Sequence, residues 1–282
     1  MVTDFKVHLV RGRFPVLPSA VNAYVVETPT EVVVIDATAA ISSSQELRAL
    51  AESLGKPLKA VLMTHGHPDH FTGLVTFKDL PVYASQGCID FAHREDETKW
   101  QGGKQYLGED FPDERSFPSQ VIKDGDTLNF GGIDFTYTEL GPGESDDDGM
   151  WLTEVDGIQH AFVGDTICNH THAFFGDGHA LHWIENIERL QKTLRLDAKI
   201  YVGHGDSPAH YADLEDQKAY LQLFIDTIKD LPRETPVTEE VVGKVMGRMK
   251  EFQPTEELFF LLGYELPQGI ERVWKQLDEV KA

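Results

Sequence analysis

Residues 64–74 read THGHPDHFTGL and place His65, His67, Asp69 and His70 within six positions. His65 and His67 flank a single glycine. In an extended or turning loop, alternate residues point the same way, so both imidazoles can reach one ion. Asp69 and His70 are adjacent and would more easily serve a second ion. Neutral imidazole and carboxylate oxygen are the usual ligands of zinc and also suit iron or manganese. Gly66 and Pro68 keep the loop tight. One histidine here would read as a polar surface residue; three with an aspartate, directly after an apolar run, read as a metal site. A second group, NHTHAFFGDGHALH over 169–182, holds His170, His172, His179 and His182. It is expected to border the same mouth, with His170 or His172 as a supporting group or proton donor and His182 on a solvated surface. His8, His93, His160 and His210 stand in no motif and read as structural or solvated.

The elements that must position these residues follow from pattern. FKVHLV, NAYVVET and EVVVIDA are short, valine-rich and bounded by turn residues, so they read as strands, with TPTE as a hairpin turn. SSSQELRALAESLG opens with serines suited to capping and ends at Gly55, a helix stop. KAVLMT, residues 59–64, is a buried strand whose carboxyl end delivers the histidine cluster. LVTFKD follows as a short helix and PVYAS as another strand. The order is that of a layered α/β domain, whose sites collect at the carboxyl ends of strands.

Residues 94–118 are polar and punctuated by Gly and Pro, with Trp100, Tyr106, Phe111 and Phe117 scattered through them. They read as an excursion over the surface, either packed on itself or facing substrate as a lid. Strands resume with DTLNF, IDFTYTEL, MWLTEV and IQHAFVGD, and Asp156-Gly157 is a two-residue hairpin turn. HWIENIERLQKTL is a helix, and KIYVGHGD again runs a short apolar strand into histidine. Beyond residue 207 the chain turns mostly helical, in stretches 209–231, 238–252 and 270–280. The expected organisation is a catalytic domain over 1–206 with a helical extension, 207–282, packed on it.

Composition limits the function. The chain has 282 residues, 41% hydrophobic, enough for one large domain with a full core. Lys plus Arg number 25 against 47 Asp plus Glu, a formal charge of −22. This disfavours nucleic acid and anionic membrane surfaces, both of which attract basic patches. Cys88 and Cys168 are expected to be reduced and structural. No apolar signal core or spanning run opens the sequence, so a cytoplasmic location and a small-molecule substrate are expected.

The run His65-Gly66-His67-Pro68-Asp69-His70 resembles the HxHxDH signature of the metallo-β-lactamase superfamily, and the resemblance extends over about residues 5–230. It implies an αββα sandwich with a dinuclear site at one edge. By the same resemblance, Asp165 of FVGDT is the bridging aspartate and His204 of YVGHGD the last ligand. One position departs from the pattern. Where the family carries a histidine after Pro-Gly, this chain reads LGPGESDDDG, which puts Glu144 there. Glutamate can ligate through oxygen and makes the site harder and more anionic, toward iron or manganese; alternatively ESDDD is a solvated acidic loop.

The implied chemistry is metal-assisted hydrolysis. Two divalent ions, zinc first and iron or manganese next, would share Asp165, hold a water or hydroxide and polarise a carbonyl or phosphoryl oxygen. Asp69 would pass a proton to the leaving group. The implied substrate is a small ester, lactone or thioester. The alternatives are a mono-iron dioxygenase of the persulfide-oxidising branch and a catalytically quiet member that binds a ligand.

Overall fold

A computed structural model describes residues 4–13, 19–233 and 235–279, without the side chains of 97 and 98. The chain ends and residues 14–18 of the expected catalytic domain lie outside the described residues, as does Val280 of the last expected helix. Two sheets face each other. The first has six strands in order β1 (Lys6–Arg13), β2 (Ala20–Glu27), β3 (Val32–Ile35), β4 (Leu58–Leu62), β5 (Val82–Ala84) and β6 (Gln120–Val121). The second runs β11 (Lys199–Gly205), β10 (Ile158–Asn169), β9 (Asp148–Val155), β8 (Ile133–Gly141), β7 (Thr127–Phe130). From β3 to β6 the first sheet is parallel, and β11 is parallel to β10.

Three apolar clusters make the layers. Between the sheets lie Tyr24, Ile35, Leu62, Phe135, Trp151 and Phe162. The other face of the first sheet packs Val34, Val61 and Met63 against Leu47 of α1 (Ile41–Ser53), Phe71 of the one-turn α2 (Pro68–Phe71) and Ala92 of α3 (Gln86–Leu107). The outer face of the second sheet packs Ala161, Ile200 and Val202 against α4 (Ala180–Thr193) and α5 (Asp213–Lys229). The same cluster takes in side chains of α6 (Glu239–Phe252), α7 (Phe259–Gly263) and α8 (Leu266–Glu279). The order is helix, sheet, sheet, helix, an αββα sandwich, and the continuous valine runs mark strands covered on both sides. Asp156 and Gly157 both have positive φ, as the expected hairpin requires.

Three local expectations are corrected. The excursion over 94–118 is not irregular throughout: α3 runs unbroken to Leu107 and stops at Gly108, φ +58. The serines at 42–44 do not cap α1; they sit inside its first turn, and the cap comes from Asp110, whose carboxylate accepts from Ser42 N at 2.8 Å and Ser42 Oγ at 2.6 Å. A short helix at the expected LVTFKD, residues 74–79, forms two residues earlier, as a 3-10 segment over 72–77. Helix α7 adds an element with no sequence signal, because five residues are too few to show a period. Among the described residues no helix is long and apolar enough to cross a membrane.

Candidate metal centre

The site gathers at one end of the sandwich. His65 and His67 leave β4 in an extended loop, and Pro68 at the first helical position starts α2, which turns Asp69 and His70 inward. Asp165 is not at the end of its strand, where the sequence put it. It lies within β10, where register shifts beside Gly164 interrupt pairing with β11 and free the side chain to point into the site. His204 comes from β11, paired in register with Cys168 of β10. Between them, residue 203 must be glycine: a Cβ there would sit 1.8 Å from Asp165 Oδ1.

Glu144 arrives from the turn between β8 and β9. That turn is a built structure and not a solvated acidic loop. Asp148 accepts from Glu144 N at 2.7 Å and Ser145 Oγ at 2.6 Å, and Asn186 donates to Pro142 O at 2.9 Å. Glu144, Ser145, Asp147 and Asp148 are all buried. Asp146 alone faces outward, paired with Arg94 and His179.

The donor atoms of His65, His67, Glu144 and Asp165 all lie within 4.8 Å of one another, and those of Asp69, His70 and His204 form an adjoining group. His67 Nδ1 is 2.8 Å from Glu144 Oε2 and His65 Nε2 is 3.6 Å from it. Asp165 reaches both groups. Its Oδ2 stands 3.7 Å from His65 Nε2 and 3.1 Å from His204 Nε2, and its Oδ1 stands 3.3 Å from His70 Nε2. Asp69 Oδ2 is 3.2 Å from His204 Nε2.

Each histidine has its other ring nitrogen occupied. His67 Nε2 pairs with Asp177 Oδ2 at 2.9 Å, His70 Nδ1 with Asp36 Oδ2 at 3.0 Å, and His204 Nδ1 donates to Ala20 O at 2.6 Å. His65 Nδ1 lies 3.1 Å from Thr64 Oγ1, which itself donates to Asp36. Such outer partners fix the tautomer so that the lone pair of the inner nitrogen faces the centre. The buried inner atoms His65 Nε2, His70 Nε2, Glu144 Oε2 and Asp165 Oδ1 make no hydrogen bond. Buried polar atoms ordinarily find a partner, and four such atoms spread over the two adjoining groups fit bound cations.

The electrostatics agree. Burial pushes Glu144 up to about 8 against the pull of His67. Burial opposes charge on His67, His70 and His204 too, but the facing carboxylates outweigh it and raise all three, His204 to about 10. His65, with burial and His70 both against charge, is pushed well down. The acidic groups hold positive charge in the site, and a divalent cation is a stronger source of it than protons.

Asp36, Asp177 and the Ala20 carbonyl are the supporting groups that sequence reasoning missed. Asp36 closes VVVIDA at the end of a buried strand, a position that could have drawn notice. Asp177 had no signal beyond a carboxylate in a loop. Of the second histidine group, His170 is exposed beside Asp206, and His172 is buried against Tyr220 and Phe259, outside the cavity lining. His179 pairs with Asp146, and His182 is exposed as expected. Elsewhere His8 meets Glu27, His93 stacks on Phe117 and His160 meets Tyr201. Cys88 and Cys168 are free and buried.

A cavity of about 160 Å³ opens onto the site, floored by His67, Asp69, Glu144, Asp165 and His204 and walled by α3 and α7.

The family model of the metallo-beta-lactamase superfamily matches residues 16–205, two thirds of the sequence. The chain belongs to that superfamily, whose members are mostly hydrolases. It is 33% identical over 127 residues to the uncharacterized protein YobT of Bacillus subtilis (strain 168), a match covering 41% of this chain and 51% of YobT, about half the length of that relative. Among solved structures it is similar to a beta-lactamase domain protein from Burkholderia ambifaria, TM-score 0.67 at 14% identity, over 97% of this chain and 86% of that one. It is also similar to a metallo-beta-lactamase family protein from Thermus thermophilus, TM-score 0.64 at 22% identity, over 93% and 94%. These likenesses establish the fold.

Proposed function

We propose that the protein is a metal-dependent hydrolase of a small ester, lactone or thioester, working with two divalent cations. His65, His67 and Glu144 would hold one, Asp69, His70 and His204 the other, and Asp165 would serve both. The observation that carries this reading is the locked set of histidines, each with its outer nitrogen tied and its inner nitrogen turned toward the carboxylates of Asp69, Glu144 and Asp165. Divalent cations at such sites polarise a carbonyl oxygen and make water a nucleophile near neutral pH.

The chain's own residues do the rest. Asp177 and Asp36 keep His67 and His70 in register, so the site needs little reorganisation. Asp69, partly open to the cavity, is placed to receive a proton from the attacking water and return it to the leaving group. The formal charge of −22 favours a small neutral substrate over nucleic acid. Two unpaired buried thiols suit a reducing, cytoplasmic compartment.

Elemental analysis of purified protein, with a panel of esters, lactones, thioesters and phosphodiesters, tests the reading. Two metal equivalents and turnover of a carbonyl substrate are expected. One iron per chain with no hydrolysis would favour the dioxygenase alternative, and two metals with no turnover a ligand-binding role.

A further inference from the structure

The cavity's walls differ in kind from its floor. Away from the acidic and histidine residues, the wall is Leu107 and Phe111 on one side and Phe174, Leu258 and Leu261 on the other. The rim carries Phe260 and Tyr264, 42% and 37% exposed, which no core packing requires. Tyr106 meets Phe260 across the mouth, ring centres 5.9 Å apart. Among the described residues of the lining, the one Lys or Arg is Lys99. It is already engaged by Glu95 and lies 4.9 Å over the Phe174 ring, so it leaves no free charge for an anionic group.

Helix α3 contributes a second, independent observation. It carries Gly102 and Gly103 in its interior, each costing about 1 kcal/mol of helix stability relative to alanine. Gly103 has a packing reason: a Cβ there would sit 2.4 Å from the Phe111 ring. Gly102 has none. Outside its own helix no heavy atom lies within 4 Å of where its Cβ would be, and Gly102 lines the cavity together with Lys99, Tyr106 and Leu107 of the same helix.

We propose that the cavity binds an apolar arm of the substrate, about six carbons long or one aromatic ring, and that Gly102 sets its permitted size. An apolar cavity near 150 Å³ in a protein interior takes up a benzene ring, and this cavity offers about 160 Å³, part of it over the acidic and histidine floor. The assignment rests on the hydrolase reading, since the arm must lead to a carbonyl over the metal floor. It narrows the substrate class to esters, thioesters or lactones bearing a medium apolar chain on the acyl or the leaving-group side.

Calorimetry on the metal-loaded protein tests this without turnover. Acetate, butanoate, hexanoate and decanoate probe an acyl-side arm; ethanol, butanol, hexanol and decanol probe a leaving-group arm. In one series affinity should rise about fourfold per methylene, since a buried CH₂ contributes about 0.8 kcal/mol, and then level off beyond about six carbons. Gly102→Leu should cut the six-carbon to two-carbon affinity ratio from about 250-fold to below about tenfold, and Gly102→Ala should give an intermediate ratio. Both substitutions favour the helix, so folding is not at risk. Two flat series, or a ratio unchanged in Gly102→Leu, overturn the inference. A climbing series with no ester hydrolysed would uphold the arm and sink the hydrolase reading; hydrolysis with flat series would do the reverse.

Discussion

Glu144 stands where the sequence reading expects the superfamily's histidine, and the fold holds it from both sides. Its backbone N–H is held by Asp148, its carboxylate faces His67 and His65, and burial raises its pKa to about 8. If it is a ligand, Glu144→Gln replaces an anionic donor by a neutral amide oxygen of the same shape. Affinity for one of two metal equivalents should fall by about 100-fold or more, beyond the 10–100-fold typical of losing a ligand's outer partner, with the other equivalent largely kept. Glu144→His should shift preference from iron or manganese toward zinc. Competitive titration with a chelating dye reads both; unchanged binding of both equivalents in the glutamine variant would remove Glu144 from the ligand set. The seven residues singled out in the sequence do come together, because strand ends and a dense histidine run are local signals. Their supports did not announce themselves. Asp177 reaches His67 across 110 positions and Ala20 reaches His204 across 184, and a contact of that separation leaves no trace in spacing.

At the level of elements, the strands other than the two-residue β6 and the helices α1, α4 and α5 are legible because valine runs and amphipathic periods are self-announcing. Helix α3 goes unread in the sequence because its glycine pair and high polarity look like a loop. What holds it together is tertiary. Phe111 folds back onto Gly103, and Trp100 closes on Phe111 with ring centres 4.6 Å apart. Gly103→Ala therefore pits propensity against packing. An isolated helix would gain about 1 kcal/mol from alanine, but the new methyl meets the Phe111 ring well inside contact distance. A net loss of about 1–2 kcal/mol is expected, within the range for overpacking, and Phe111→Leu in the same chain should recover part of it. Urea unfolding of the single and double variants decides; a stabilised Gly103→Ala would mean that the ring moves freely and that α3 stands without it.

On the scale of the whole molecule, the candidate metal centre would also be a stability element if it binds cations. It is the place where both sheets meet: β4 brings His65 and His67, β10 brings Asp165, β11 brings His204, and the β8–β9 turn brings Glu144. Three carboxylates converge there in a chain already carrying a formal charge of −22. Cations that bind only the folded state stabilise it by mass action, by about 2.7 kcal/mol at a free concentration 100 times Kd. For a chain of this size each kcal/mol is worth about 2 °C in Tm. Removing metal with a chelator should therefore lower Tm by about 5 °C for each occupied site. Restoring metal should return it in two resolvable stages if Asp165 joins two ions of unequal affinity. Differential scanning calorimetry across a metal titration gives the answer. Equal Tm with and without chelator, at confirmed metal removal, would mean that the seven side chains are held by the fold and their outer hydrogen bonds alone, with no folding free energy drawn from the cations.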